Sequence, residues 1–405
     1  MFLRFFLWPP YDTFILRAQI ASLTALRKKI LYSFLHGLLV TGLVWIYVNT
    51  WYTLGIEEGL VKNLLTVRHI LFPNKEFPPG EVLLINTSKD ISVVSDPNEY
   101  GKVAITDRAT LLRFFSLIDS LHIRPKFILC DLLFDIKTPL DKELQDKLGR
   151  TRNIIIPYTS YEDRLTDPIF KIPKGVGQYM TNSGSFIKLR LMQEDSLKSI
   201  PVVMDELLNG RSYERKGIFT YCDHRVSLNY IIPGFYLRPF QVFKENKYHL
   251  VNLGELADTT MDAEMLRNEL EDKWLVIGNF YDDVHETSLG KMPGSLILFN
   301  SYLSLVYGNH IVSVGWVLFL VVSFSFLSYT AFYRRMPKLK MPWKAPIYRH
   351  LESFLSKYVS FFGMVFLLSL CSFFLFNIHV NILVVSFYFS MINFIAQKNK
   401  DEKVE

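Results

Sequence analysis

The sequence predicts an α/β exoplasmic domain with a mostly parallel central sheet, inserted between one N-terminal and three C-terminal transmembrane helices. Three uncharged stretches predict the helices: residues 31–56, 311–333 and 358–397. A spanning helix needs about 20 apolar residues, so each of the first two stretches is one span. The third stretch is long enough for two, and its polar cluster at 377–381 predicts the turn between them. Between the first two stretches, short apolar runs typical of strands alternate with segments whose apolar residues have helical spacing. This alternation predicts an α/β domain.

Composition and charge exclude two classes of protein. Half of the residues are apolar and 15% are aromatic, which excludes a disordered chain. The net charge of +6 does not indicate a nucleic-acid partner, because residues 57–310 hold 34 acidic and 30 basic residues. The remaining 15 basic and 5 acidic residues lie beside the spans, and we therefore expect no nucleic-acid binding.

The flanking charges predict the orientation of the chain. Five basic residues precede residue 30, and six basic residues with no acidic one lie in the loop Arg334–His350. Such segments stay on the cytoplasmic side, so both termini are expected there, and the domain is expected in the periplasm of a bacterium with the spans in its inner membrane. The predicted segments are a cytoplasmic or interfacial N-terminus (1–30), spans at 31–56, 311–333, 358–376 and 380–397, the domain (57–310), a basic loop (334–357) and a tail (398–405).

Within the domain, short apolar runs predict strands and a 3.6-residue spacing predicts helices. Residues 110–121 have apolar positions at helical spacing, and Asp107 or Thr106 can cap that helix. Antiparallel additions are expected between residues 159 and 250. The predicted strands are 81–86, 127–133, 153–158 and 274–278, and further helices are 141–148, 204–210 and 295–307, the last leading into the second span.

The carboxyl ends of these strands predict a ligand site, because ligands of open parallel sheets bind there. The alternative remains open that the same polar residues cap helices and close turns. The candidate residues are Asn86, Ser88, Asp131, Asp135, Tyr158, Asn279, Asp282, Asp283, His285 and Glu286.

Motifs for catalysis and metal binding are missing from the sequence. His285-Glu286 lacks the second His that a zincin helix carries, and residues 290–294 (GKMPG) are typical of a loop. The chain has neither a Gly-rich phosphate loop nor a G-x-S-x-G elbow. We therefore expect no enzyme, no catalytic residues and no metal, and the sequence names no cofactor. Cys130 is interpreted as a core residue, and a Cys130–Cys222 disulfide remains undecided.

The order of features resembles the CHASE type-two family (cyclase/histidine-kinase-associated sensory extracellular domain) over residues 31–397. Residues 82–88 (VLLINTS) are similar to its first strand, with Asn86 in place of Asp. Residues 127–134 (FILCDLLF) resemble its DxxF strand, through Asp131 and Phe134, and Asp107-Arg108 resembles the Arg that precedes its first helix. Residues 227–230 resemble its NYR segment, with Ile231 in place of Arg. The closing signature is matched by Gly278, Asp283, His285, Thr287, Gly290, Met292, Pro293, Gly294 and Asn300, with Ser288 in place of Pro.

The resemblance implies an extracytoplasmic sensory module that binds a signal and passes it through the spans. Only nine residues follow Ala396, so we expect a separate membrane or cytoplasmic partner, reached through the spans and the loop Arg334–His350. Two alternatives are a structural or assembly subunit of an envelope complex and, resting only on the 282–286 cluster, a periplasmic hydrolase.

Overall fold

The computed structural model describes residues 11–50, 55–72, 75–95, 101–161, 164–177, 184–193, 197–258, 260, 262–334 and 348–401. The chain divides into two compact units. One comprises residues 1–48 together with 313–405, and the other comprises residues 49–312. Of the basic loop predicted at 334–357, residues 335–347 are not described, and residues 348–357 belong to the helix Tyr348–Phe376, so the prediction of a loop is wrong for this last part.

The first unit is helical. Its helices are Tyr11–Val48, Val314–Tyr333, Tyr348–Phe376 and Ile382–Asp401. Three apolar segments within them, Thr24–Val48, Val314–Tyr333 and Leu355–Phe376, are long and apolar enough to cross a membrane. The fourth predicted span corresponds to a shorter apolar segment, Ile382–Lys398.

Polar side chains join the helices of this unit. The Trp316 indole N–H donates a 2.8 Å hydrogen bond to Ser372 Oγ. His36 lies 2.8 Å from both Ser328 Oγ and Tyr388 Oη, and so faces other helices. The predicted turn is confirmed at 377–381, where the Asn381 side-chain oxygen accepts a hydrogen bond from the amide of Val384 and begins the last helix.

The prediction that the first span reaches residue 56 is wrong. The helix ends at Val48, and a second helix begins at Gly55 and runs to Leu71. At the end of the first helix, the Asn49 side-chain oxygen accepts a 2.8 Å hydrogen bond from the backbone amide of Asn229. Asn and Thr side chains offer such alternatives to helical hydrogen bonding, so the Asn49-Thr50 pair favours an end here.

The second unit is built on one parallel six-stranded sheet. Its spatial order is β5-β1-β6-β2-β3-β4. All residues of β1, β2, β3 and β6 are buried, as expected for a parallel sheet covered on both faces. The strands are β1 (Val82–Asn86), β2 (Phe127–Cys130), β3 (Ile154–Pro157), β4 (Lys174–Gly175), β5 (His249–Asn252) and β6 (Trp274–Gly278).

Four of these strands were predicted, but β2 ends at Cys130 and not at Leu133. The amide of Asp131 still donates to the Ile277 carbonyl, at 2.8 Å, and the chain then leaves the sheet. Leu133 is exposed, so the apolar run FILCDLL overstated the length of the strand.

Helices cover the sheet, and their buried faces form the core around Phe114, Phe115 and Ile128. The predicted cap is confirmed at Asp107, whose carboxylate accepts a 2.9 Å hydrogen bond from the amide of Thr110. The helices of this unit are Gly55–Leu71, Arg108–Ser120, Asp141–Arg150, Ile200–Asn209, Pro239–Phe243, Leu253–Leu256, Ala263–Leu270 and Gly294–Val306, with a 3-10 turn at Pro79–Glu81.

Small two- and three-stranded sheets accompany the central sheet, and the expected antiparallel additions between residues 159 and 250 are present. The prediction of a loop at 290–294 is wrong, because Gly290–Pro293 (β8) pairs antiparallel with Val284–Thr287 (β7). Gly290 makes this tight turn possible with φ of +91°. The remaining strands are Ile91–Ser95, Lys102–Thr106, Thr159–Tyr161, Arg164–Thr166, Ser185–Phe186, Leu189–Arg190, Tyr213–Lys216, Phe219–Cys222, Arg225–Ser227 and Tyr230–Ile231.

The cysteines of this unit form no disulfide. Cys130 and Cys222 are both free and buried. Burial raises the pKa of both thiols, so each remains protonated and unreactive at neutral pH.

Candidate functional site

The parallel sheet places the carboxyl ends of five of its strands at one edge. Asn86 at the end of β1 is in register with Asn252 of β5 and with Gly278 of β6. Asp131 follows β2 at the level of Gly278, and Tyr158 follows β3, where its amide donates to the Gly175 carbonyl at 2.8 Å. Adjacent strand ends thus bring side chains together that are far apart in the chain.

A pocket of about 440 Å³ opens at this edge. Five of the ten predicted site residues line it: Asp131, Tyr158, Asn279, Asp283 and His285. The other lining residues are Leu132, Leu133, Pro157, Gly177, Gly294 and Leu298.

Two carboxylates flank the Cα atom of Gly294 at this pocket. A methyl group on Gly294 would lie 2.6 Å from Asp283 Oδ2 and 3.4 Å from Asp131 Oδ2. A methyl group on Gly177 would lie 3.9 Å from Asp131 Oδ1. The two glycines therefore leave the space that the carboxylates occupy, and Gly294 also begins the helix Gly294–Val306.

Asp131 is the most strongly perturbed acid of the pocket. Burial raises the pKa of its carboxyl to about 7, and the negative charge of Asp283 adds to the rise, while His285 opposes it. His285 Nε2 lies 2.8 Å from Asp283 Oδ1, so the imidazole is held against the outer carboxylate. The inner carboxyl therefore keeps its proton to a higher pH than an ordinary aspartate does.

The rest of the pocket lining is largely apolar and aromatic. Leu132, Leu298 and Pro157 supply hydrocarbon surface, and Tyr158 supplies an aromatic ring. The Lys174 ammonium lies 5.1 Å from the centroid of this ring and is bound to Asp167 at 2.6 Å. A mixed wall of this kind, with a few convergent polar groups, is typical of small-molecule sites.

Asn86 and Ser88 have a structural role. The Asn86 amide group donates to Ser88 Oγ at 2.9 Å and to Asn252 Oδ1 at 3.0 Å. Its oxygen accepts hydrogen bonds from the amides of Ser88 and Phe280. Asn86 thereby ties β1 to β5 and to the turn after β6, and it is buried away from the pocket.

Three further predicted residues are exposed and lie outside the pocket: Asp135, Asp282 and Glu286. Asp282 closes a turn with Asn279, whose side-chain oxygen accepts from the Asp282 amide at 2.9 Å. Glu286 is paired in the hairpin with Lys291. For Asn86, Ser88 and Asp282 the structure therefore shows the turn-closing role that sequence reasoning had left open.

The lining glycines and Leu298 were missed as site residues. Gly294 had a sequence signal, because it belongs to the closing motif of the resemblance, but Gly177 had none. Ser295, next to Gly294, does not line the pocket, and its side-chain oxygen is buried without a hydrogen-bond partner among the described residues. In the described part of the chain, no group of three or more His, Cys, Asp or Glu side chains is arranged to hold a metal ion.

Comparison of the chain with protein-family models, with curated proteins and with solved structures gave no match. The site is therefore interpreted from its own geometry.

Proposed function

We propose that this protein is a membrane-anchored sensor of the kind the CHASE resemblance implies, whose domain binds a small molecule outside the cytoplasm and relays its presence to a separate partner. The observation that carries the proposal is the strand-end pocket, with its half-buried Asp131, its second carboxylate Asp283 and its apolar wall. An envelope scaffold has no need of such a pocket. The described helices that could cross a membrane support anchoring in a lipid bilayer.

The helix Gly294–Val306 supports a relay within the domain. Its first residue, Gly294, and Leu298 line the pocket. Farther along, Asn300 is fully buried, and its side-chain oxygen accepts hydrogen bonds from the amides of Tyr236 and Leu237 at 2.7 and 2.9 Å. A ligand that moves the start of this helix must therefore disturb buried polar contacts along its length.

The chain beyond this helix is held to the domain before the next apolar helix begins. The carbonyl of His310 accepts a 2.8 Å hydrogen bond from the Leu228 amide, and the amide of Val312 donates to Val226. Burial lowers the pKa of His310 to about 3, so its imidazole stays neutral in physiological conditions. The prediction that this helix leads straight into the second span is thus corrected, because residues 307–313 separate it from the helix Val314–Tyr333, and His310 and Val312 among them are hydrogen-bonded to the domain.

The proposed topology places the domain in the periplasm and both termini in the cytoplasm, with a fourth span formed by residues 382–398. Labelling of intact cells with a membrane-impermeant maleimide tests it on two variants that lack the exposed Cys371, keep the buried Cys130 and Cys222, and carry one added cysteine each. We expect labelling at Lys142→Cys in the domain and none at Lys400→Cys before lysis. The reverse pattern would refute the orientation.

The sensing role is tested by purifying the full-length protein from its native membrane and identifying both proteins and small molecules that accompany it. A copurified cytoplasmic regulator, together with a small molecule that is lost in Asp131→Asn, supports a sensor. A fixed stoichiometry of envelope proteins, unchanged in Asp131→Asn and without a small molecule, indicates the structural subunit instead. Asp282→Asn is the matched control, since Asp282 is an exposed neighbour outside the pocket.

A further inference from the structure

The ligand class of the strand-end pocket follows from its charge, and this inference rests on the proposed sensing function. The described lining residues include two carboxylates and one imidazole, and neither Lys nor Arg is among them. An anionic ligand would enter a site that already holds two carboxylates, and His285, the one residue of the described lining whose side chain can carry a positive charge, already lies against Asp283. Anions are therefore disfavoured.

The two carboxylates are close enough to interact unfavourably. Both flank the Cα atom of Gly294, and Asp283 contributes to the raised pKa of Asp131. A neutral ligand would leave this repulsion in place. A positive charge beside Gly294 would remove it, because each carboxylate would then gain an opposite charge within contact distance.

A buried hydroxyl lies behind Asp131 and does not line the pocket itself. Ser295 is 1% exposed, and its Oγ has no hydrogen-bond partner among the described residues. A methyl group on Gly278 would lie 2.8 Å from this Oγ and 3.7 Å from Asp131 Cβ, so the hydroxyl lies beside the base of Asp131. The acceptors that the pocket itself offers to an ammonium group are therefore the two carboxylates, and an ammonium group has three donors for them.

The remaining wall distinguishes an organic cation from a metal ion. Leu132, Leu298 and Pro157 offer no ligands to a metal, and about 440 Å³ is far more room than a bare ion fills. The same surface suits a hydrocarbon body, and the Tyr158 ring can pack against it.

We propose that the pocket binds a small primary amine, with its ammonium group between Asp131 and Asp283 beside Gly294 and its apolar body against Leu132, Pro157 and Leu298. The outer carboxylate, held by His285, lies at the mouth and attracts the cation. The inner carboxylate, Asp131, is ionised when the amine is bound.

Three probes of one shape test the charge. Phenethylamine, phenethyl alcohol and phenylacetate share an aromatic body and differ at the head group. Each is titrated into the full-length protein in nanodiscs at pH 7.5, with the melting temperature and the dissociation constant as readouts. We expect phenethylamine to bind at least tenfold more tightly than the alcohol and phenylacetate not to bind. Asp131→Asn and Asp283→Asn should each raise the dissociation constant of phenethylamine at least tenfold, while Asp282→Asn should leave it unchanged.

Each other outcome overturns the assignment in a recognisable way. Tighter binding of the alcohol or of phenylacetate would refute the assignment of an amine ligand. It would still support a ligand pocket and the sensing function. Binding of Mg²⁺ or Zn²⁺ alone, lost in Asp131→Asn, would make the pocket a metal site. If no probe and neither ion shifts the melting temperature, both the amine assignment and the proposed sensing function fail.

Discussion

The backbone amide of Asn229 donates a hydrogen bond of 2.8 Å to the side-chain oxygen of Asn49. The neighbouring amide of Leu228 donates to the carbonyl of His310, also at 2.8 Å. Asn49 is the first residue of the domain unit, and His310 lies two residues before its end. One short segment of the domain therefore holds the chain both where it enters this unit and where it leaves it.

This arrangement predicts the effect of replacing Asn49. Asn49→Ala removes the acceptor of a buried amide and should lower the free energy of unfolding by about 1–3 kcal/mol. Asn49→Asp keeps an acceptor oxygen, so its free energy of unfolding should fall by less. Chemical denaturation of the full-length protein in detergent measures both variants. Equal losses in the two would mean that this hydrogen bond contributes nothing to stability.

The buried carboxyl of Asp131 predicts a pH-dependent change in stability. Its native pKa of about 7 lies above its unfolded value, so its contribution to stability is present below about pH 4 and is lost as the pH rises to 7. Asp131→Asn should therefore be more stable than the wild type at pH 8, on the order of 1–4 kcal/mol, and the difference should shrink toward pH 4. Denaturation curves between pH 4 and pH 9 test this. A difference that does not vary with pH would contradict it, and Asp282→Asn should show none.

Replacement of Gly294 should impair amine binding and leave the fold intact. The methyl group of Gly294→Ala would lie 2.6 Å from Asp283 Oδ2, and this exposed carboxylate can swing away from it. We expect a loss of stability under about 1 kcal/mol, but separation of Asp283 from His285 and at least a tenfold loss of amine binding. In Gly80→Ala the added methyl group has open space, so neither the stability nor the affinity for the amine should change. Unimpaired binding by Gly294→Ala would place the cation elsewhere.

The ion pair between Arg108 and Asp141 predicts a large structural effect away from the pocket. Arg108 Nε lies 3.7 Å from Asp141 Oδ1, with side chains 3% and 10% exposed, and its guanidinium group lies 4.5 Å from the centroid of the Phe134 ring. Arg108→Ala leaves a buried carboxylate without its cation and should cost about 3–5 kcal/mol. Lys142→Ala, at an exposed neighbour, should stay within about 0.5 kcal/mol of the wild type. The melting temperatures of the two variants in detergent test this prediction. Similar melting temperatures would contradict a stabilising role of the Arg108–Asp141 ion pair.

Local patterns were sufficient for much of the fold. The all-apolar runs at β1, β3 and β6 predicted buried strands because a parallel sheet is covered on both faces. Asp107 was identifiable as a helix cap because its carboxylate serves an amide only three residues away. Uncharged length predicted the apolar helices, since composition alone decides whether a segment can cross a membrane.

The ends of elements and the membership of the pocket were decided by tertiary contacts. The first helix stops at Val48 where Asn49 meets Asn229, a partner 180 residues away that no local pattern reveals. Asp131 and Asp135 look alike in the sequence, yet only Asp131 continues the sheet through its bond to Ile277 and faces the pocket. The sequence by itself determined which strands end in polar residues. Only the packing of β6 between β1 and β2 decided which of those residues meet, because strand order and register set the distances between side chains that the chain itself keeps far apart.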